Sequence, residues 1–123
     1  MPVDWEIRGV VVTLVFSGIV EREEIERALA AALSDPGARP RMGLLWDARL
    51  SQTPLSADDL SWRLGLVSSL AERGLVGRAA VLVTERWRAT LDYFHAEAGR
   101  WEPPFRLAMF VDEAEALAWL EAA

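Results

Sequence analysis

Three residue types in this chain are equipped for chemistry: a serine at Ser56, an aspartate at Asp47 and the single histidine, His95. Together they are the side chains of an acyl-transfer triad, in which an oriented imidazole takes the serine proton. His95 falls one turn beyond Leu91 on the flank of an expected helix, where a half-buried structural histidine is the simpler assignment. One histidine among scattered carboxylates also lacks the ligand spacing of a zinc site. The chain has no cysteine, which removes disulfides, thiolate nucleophiles and thiolate-bound metals. All 13 basic residues are arginine, so no lysine is present to form a Schiff base. The segment from Gly74 to Gly77 has neither the lysine nor the residue order of a phosphate-binding loop. No catalytic residue, metal or cofactor is therefore assigned, and the expectation is a protein that binds rather than transforms.

Two positions mark where binding would occur. The apolar run Met42-Gly43-Leu44-Leu45-Trp46 ends on Asp47, and a helix opens at Ser56. In open α/β sheets, ligands collect outside the carboxyl ends of strands and beside helix N-termini, so Asp47 and Ser56 are expected on that edge. Asp47 can meet a ligand there, accept loop N–H groups or pair with Arg49. Ser56 precedes Asp59 by three residues, the spacing at which a serine caps a helix through its hydroxyl oxygen. A phosphate on Ser56 would gain from the helix dipole but face Asp58 and Asp59. The aromatic residues add a second candidate surface. In the helix from Ser56, Leu60, Leu64, Val67 and Ala71 form an inward stripe, whereas Trp62, Leu66 and Leu70 form another. One sheet is not expected to cover both, so the second stripe is expected to meet Trp87 or Tyr93 on a neighbouring helix, a nonpolar ligand, or a second subunit. Trp101, in a loop with Pro103 and Pro104, is a candidate lid, interface anchor or loop pin.

The elements that must position these residues follow from periodicity. Val3, Trp5 and Ile7 alternate with Asp4, Glu6 and Arg8, as in a strand with one wet face, and Gly9 permits a reversal. Val10 to Phe16 is apolar at nearly every position, which suits a strand covered on both faces, and Ser17-Gly18 ends it. A helix is expected over Glu21 to Leu33, with Ile25, Ala28, Leu29 and Ala32 inward and Ser34-Asp35-Pro36-Gly37 stopping it. The strand to Asp47 follows, then the loop Ala48 to Leu55, the helix Ser56 to Arg73 and its closing Gly74. A strand from Arg78 to Thr84, a helix from Arg86 to Ala98 and a loop from Gly99 to Pro104 come next. Phe105 to Val111 is the last strand, and Asp112 with Glu115 predicts a capping box for a helix ending at Trp119-Leu120. The order ββαβαβαβα predicts an α/β fold with a mixed five-stranded sheet and about four helices.

At 123 residues, with 52% of them apolar, the chain is expected to form one domain spanning residues 1–123. No apolar run approaches the roughly 20 residues of a membrane-spanning helix. The N-terminus lacks the basic region and apolar core of a secretory signal, which predicts a cytoplasmic location. With net charge −6 and arginines scattered along the chain, the basic stripe that a nucleic acid requires is missing, and any membrane contact is expected to be weak and peripheral.

Several segments, taken in order, resemble the SpoIIAA-like family, which is related to STAS domains and more distantly to CRAL-TRIO lipid carriers. They are Trp5-Glu6-Ile7 with its glycine turn, Ser17-Gly18, Leu45-Trp46-Asp47, Ala79-Ala80-Val81-Leu82-Val83, and the ending from Phe110-Val111-Asp112-Glu113 to Trp119-Leu120. The resemblance implies the same ββαβαβαβα fold and a non-enzymatic binding role, either for a small nonpolar ligand or at a membrane surface. The alternative it implies is a regulatory protein-interaction domain of the anti-sigma antagonist type. Such antagonists carry a phosphorylatable serine at the start of the helix after the third strand. Ser56 occupies that position, followed by Ala57-Asp58-Asp59 rather than by a second serine and glycine. The expected ligand or partner contacts are thus Asp47, Trp62, Leu66, Leu70, Trp87 and Trp101, with Ser56 as the candidate phosphoacceptor and a homodimer as one candidate assembly.

Overall fold

The computed structural model describes residues 2–53, 56–89, 96 and 105–122. Strand β1, Val3–Arg8, turns through Gly9 at φ +58° into β2, Val11–Gly18, and the two pair antiparallel. Helix α1, Arg22–Leu33, leads to β3, Met42–Ser51; helix α2, Ala57–Glu72, leads to β4, Val76–Leu82. Residues 85–89 are helical (α3), and β5, Arg106–Phe110, and α4, Glu113–Glu121, complete the described chain. The sheet runs in chain order, β1-β2-β3-β4-β5. Every pairing after the first is parallel, which makes the sheet mixed and the fold α/β as the order of elements predicts.

Alternation along the strands divides the core in two. Val12, Leu14 and Phe16 of β2 share one face with Met42, Leu44 and Trp46 of β3, and α1 and α2 cover that face with Ile25, Ala28, Leu29, Ala32, Val67 and Leu70. Val11, Leu45, Ala80 and Leu82 point to the other face, beneath Ala116 and Leu120 of α4. This double covering explains why β2 is apolar at almost every position. On the α4 face, Gly43 lets the helix sit close to the sheet, because a Cβ there would lie 3.1 Å from Leu120 Cβ. Arg78 fastens the same helix by donating from Nη1 to the Trp119 carbonyl oxygen at 2.7 Å, with its guanidinium 5.3 Å from the Trp119 ring centre.

The boundaries correct the sequence expectations in four places. Val10 belongs to the reversal with Gly9 and is exposed, so β2 begins at Val11 and carries Ser17 and Gly18. β3 does not end on Asp47 but continues to Ser51: an extra residue in β3 between the Val15–Asp47 and Ser17–Leu50 pairs lets it follow β2 onward. The apolar pattern stops at Trp46 because burial stops there, whereas backbone pairing continues. β4 begins two residues early, at Val76, opposite Met42. At α4 the expected capping box does not form, because Asp112 makes no side-chain cap bond; the neighbouring Glu113 faces Arg49, 3.8 Å away. It is α1 that shows one reciprocal element of such a box, the Glu24 carboxylate accepting from the Glu21 N–H at 3.2 Å. Beyond residue 89, the expected helix to Ala98 and the loop Gly99 to Pro104 lie largely outside the described residues.

Two glycines should respond in opposite directions. Gly65 lies within α2, and a Cβ built on it meets nothing among the described residues. Gly65→Ala should therefore raise stability by roughly 0.5–1 kcal/mol. Gly43→Val should lower it by about 1–3 kcal/mol by forcing Leu120 off the sheet. Urea midpoints at unchanged slope check both values.

Candidate functional site

Asp47 sits on the α4-facing side of β3, and it is buried. Its carboxylate is gripped by Arg49, which donates from Nε to Oδ1 at 2.9 Å and from Nη2 to Oδ2 at 2.8 Å, while the Arg49 backbone N–H reaches Oδ1 at 3.2 Å. This fork holds the Arg49 guanidinium above its ordinary value and ties the irregular end of β3 to the start of α4 through Glu113. Of the roles open to Asp47 from sequence, the structure places it in the pair with Arg49.

Ser56 lies on the opposite side of the sheet, at the start of α2. Its hydroxyl oxygen accepts from the Asp59 N–H at 3.1 Å and its hydroxyl donates to Asp59 Oδ2 at 2.9 Å. Arg22, in the first turn of α1, donates from Nη2 to Asp58 Oδ2 at 2.8 Å and to Asp59 Oδ1 at 2.9 Å. The bonds from Arg22, and then from Ser56, hold the Asp59 carboxyl below its ordinary value of 3.8. These contacts clasp the starts of α1 and α2 together. The chain leaving β3 is tied to the same corner, where Thr53 Oγ1 accepts from the Val20 N–H at 2.8 Å. Asp47 and Ser56, expected to share one ligand edge, thus serve two separate clasps on opposite faces. His95 and Trp101 lie outside the described residues.

The stripes of α2 are the margins of a single arc. At 100° per residue, Trp62, Leu66 and Leu70 span about 80°, and Val67, Leu60, Ala71 and Leu64 follow at about 140° to 200°. A helix wedged onto a sheet buries an arc that broad: Leu70 is a core residue, and Trp62 and Leu66 are half-buried against the same core. Leu70 of the second stripe is thus covered and Trp62 and Leu66 are covered in part, while Tyr93, one of the neighbours expected for that stripe, lies outside the described residues. Trp62 lies beneath the Arg22 guanidinium at 5.2 Å, and Trp87 is exposed.

Sequence reasoning passed over the residue at the middle of that arc, about 100° from Trp62. It is Arg63, whose guanidinium carbon lies 5.7 Å from the Phe16 ring centre and 5.8 Å from that of Trp46. The two rings meet at 5.3 Å with a 55° tilt, so cation and aromatics form one cluster between α2, the end of β2 and the middle of β3. Burial pushes the Arg63 guanidinium below its ordinary value, with Asp59 opposing the shift and Arg22 adding to it. The group remains charged. Among the described residues Arg63 has no ion-pair partner, and the buried Trp46 Nε1 has no hydrogen-bond acceptor. Ser68 Oγ is also without a partner, but it lies about 140° further round α2 and does not share this cluster. The available signal was a lone charge centred in an apolar helical arc, two turns into the helix.

One solved structure reproduces this architecture across nearly the whole chain. It is an uncharacterised protein of the DUF3478 family with a SpoIIAA-like fold, from Shewanella loihica PV-4, similar at a TM-score of 0.62 over 96% of this chain and 91% of that one. The fold is SpoIIAA-like. At 21% identity the likeness is one of fold. No protein-family model matches the chain, and no curated protein matches it. Within this SpoIIAA-like fold, no group of three or more metal-ligating side chains gathers among the described residues. No helix of those residues is long and apolar enough to cross a membrane.

The clasp at Ser56 can be tested twice. Ser56→Ala should cost about 0.5–2 kcal/mol, whereas Ser56→Asp, which keeps a capping oxygen, should be nearly neutral in chemical denaturation. The depressed Asp59 value means its contribution is present above the unfolded-state pKa, near pH 4, and is lost as pH falls through the folded one. A carboxyl NMR titration should give Asp59 a midpoint below 3.8 in the native protein, and Arg22→Gln should move it back toward that value.

Proposed function

We propose that this chain is a non-enzymatic binding module that takes a small ligand with a nonpolar body at the carboxyl edge of β2 and β3, beneath the start of α2. The observation that carries the reading is how the polar groups are spent. Asp47 is consumed by Arg49, Ser56 by Asp59, and Asp59 by Ser56 and Arg22, so none of the three side chains is poised as a nucleophile or base. The unspent groups are instead those of a binding surface: half-buried Trp62 and Leu66, and the donors on Arg63 and Trp46. Pockets for small molecules combine a mostly apolar lining with a few placed polar groups. The exposed side chains of Ile19 and Leu50 add apolar surface along the same sheet edge.

The regulatory alternative, with Ser56 as phosphoacceptor, is weaker because the Ser56 hydroxyl already bonds Asp59 and a phosphate there would face two carboxylates. Peripheral membrane contact and homodimer formation have no comparable observation behind them.

Native mass spectrometry of the purified chain, together with tryptophan emission during titration with decanol, tests the binding reading. A co-purified small molecule or a saturable emission shift, reduced at least severalfold by Trp62→Glu in a protein with unchanged circular dichroism, is expected. A bare protein with a flat titration would remove the ligand reading, and phosphate on Ser56 in protein from its native host would favour the regulatory one.

A further inference from the structure

We infer that Arg63 and the Trp46 indole N–H together recognise an anionic oxygen group, a carboxylate or a phosphate, at the head of the nonpolar ligand. The inference rests on the binding-module reading and names the chemistry its ligand must carry. Two independent observations converge on one ring. The indole of Trp46 is 95% buried by its relative exposure of 5%, and its Nε1 has no acceptor among the described residues. The Arg63 guanidinium rests against the same indole and the Phe16 ring, and no carboxylate among the described residues pairs with it.

Both groups are donors and neither offers an acceptor, so what complements them is a group rich in acceptor oxygens. A buried donor left unmatched carries a desolvation cost, and a cation in apolar surroundings carries a larger one. The aromatic faces offset part of the cost for the guanidinium but none of it for the indole N–H, because ring contact leaves that N–H without an acceptor. Negative charge already present nearby is committed elsewhere. Asp58 and Asp59 are both bonded to Arg22, and Asp59 is bonded also to Ser56. Asp59 opposes an incoming anion, whereas Arg22 and Arg63 favour it.

Placement within α2 separates this cluster from a surface arginine that merely lays its stem on an aromatic ring. Arg63 occupies the centre of the helix's apolar arc, with Leu66 and Leu70 on one side and Val67 on the other. A charged head held there has apolar surface beside it for the remainder of the molecule. Arginine suits the task because its planar fork matches the two oxygens of a carboxylate or phosphate, and the indole N–H adds a directional third bond.

Four probes discriminate the outcomes in calorimetric titrations of the whole chain: decanoate, decyl phosphate, decanol and inorganic phosphate. Decanoate or decyl phosphate is expected to bind at least tenfold more tightly than decanol. Arg63→Gln should bring that ratio close to one, and Trp46→Phe should lower it severalfold. A readout without variants follows the Trp46 indole resonance in ¹H–¹⁵N spectra, which should shift with decanoate and not with decanol. Equal binding of decanoate and decanol, or an indole resonance that decanoate leaves in place, overturns the anion inference and leaves the nonpolar-ligand reading standing. Arg63-dependent binding of inorganic phosphate as tight as that of decyl phosphate, with none of decanol, supports the anion site and overturns the nonpolar body. No binding of any probe overturns both.

Discussion

The parallel pairing of β3 on both of its edges is the constraint on which the other elements depend. β2 lies along one edge and β4 along the other, and alternate residues of β3 must therefore serve two different cores. Met42, Leu44 and Trp46 meet α1 and α2, while Gly43 and Leu45 meet α4, and a one-residue slip would exchange the two sets. The slip would place Met42 or Leu44 where Leu120 requires the absence of a side chain at Gly43. Register is consequently held by shape on both faces at once, and the helices are placed by the strand they cover.

Charge in this molecule is used mainly to fasten corners. Arg49 closes the end of β3 onto the start of α4 through Asp47 and Glu113; Arg22 joins the starts of α1 and α2 through Asp58 and Asp59; Arg78 pins the far end of α4 through the Trp119 carbonyl. All three are partly exposed arrangements, so each adds modest stability and more orientation than energy. Their joint effect is to remove the obvious reactive oxygens from availability. Arg63 departs from this use of arginine, being packed between aromatic rings with no such partner among the described residues. Polar groups placed against the economy of folding are commonly retained for binding.

Much of the architecture was legible because periodicity reports burial. The alternation of Val3, Trp5 and Ile7, the unbroken apolar run of β2 and the Ile25, Ala28, Leu29 and Ala32 stripe each encode one covered face or two. Ser56 was legible as a cap because capping is local, a bond between residues three apart. The end of β3 was not, since residues past Trp46 are held by backbone pairing with β2, which has no side-chain signature. Asp112 illustrates the reverse case, where a capping pattern present in sequence, Asp112 with Glu115, makes no side-chain cap bond in the folded chain.

What the sequence by itself determined is the alphabet of this protein: the order of strands and helices, the apolar faces, and the absence of cysteine and lysine with all the chemistry they would bring. Those properties are set within a few residues of each position or by composition alone. Tertiary structure decided which groups remain available, because a side chain's partners come from segments far apart in the chain. It paired Asp47 with Arg49 and oriented that pair toward α4, brought Arg22 across to Asp58 and Asp59, and buried Leu70 in the core. It also set Arg63 against Phe16 and Trp46, residues separated from it by 47 and 17 positions, and so turned an unremarked charge in a helix into the centre of the candidate site. Contacts of that range depend on how the sheet stacks its strands in space, and one chain read in order does not contain that distance information.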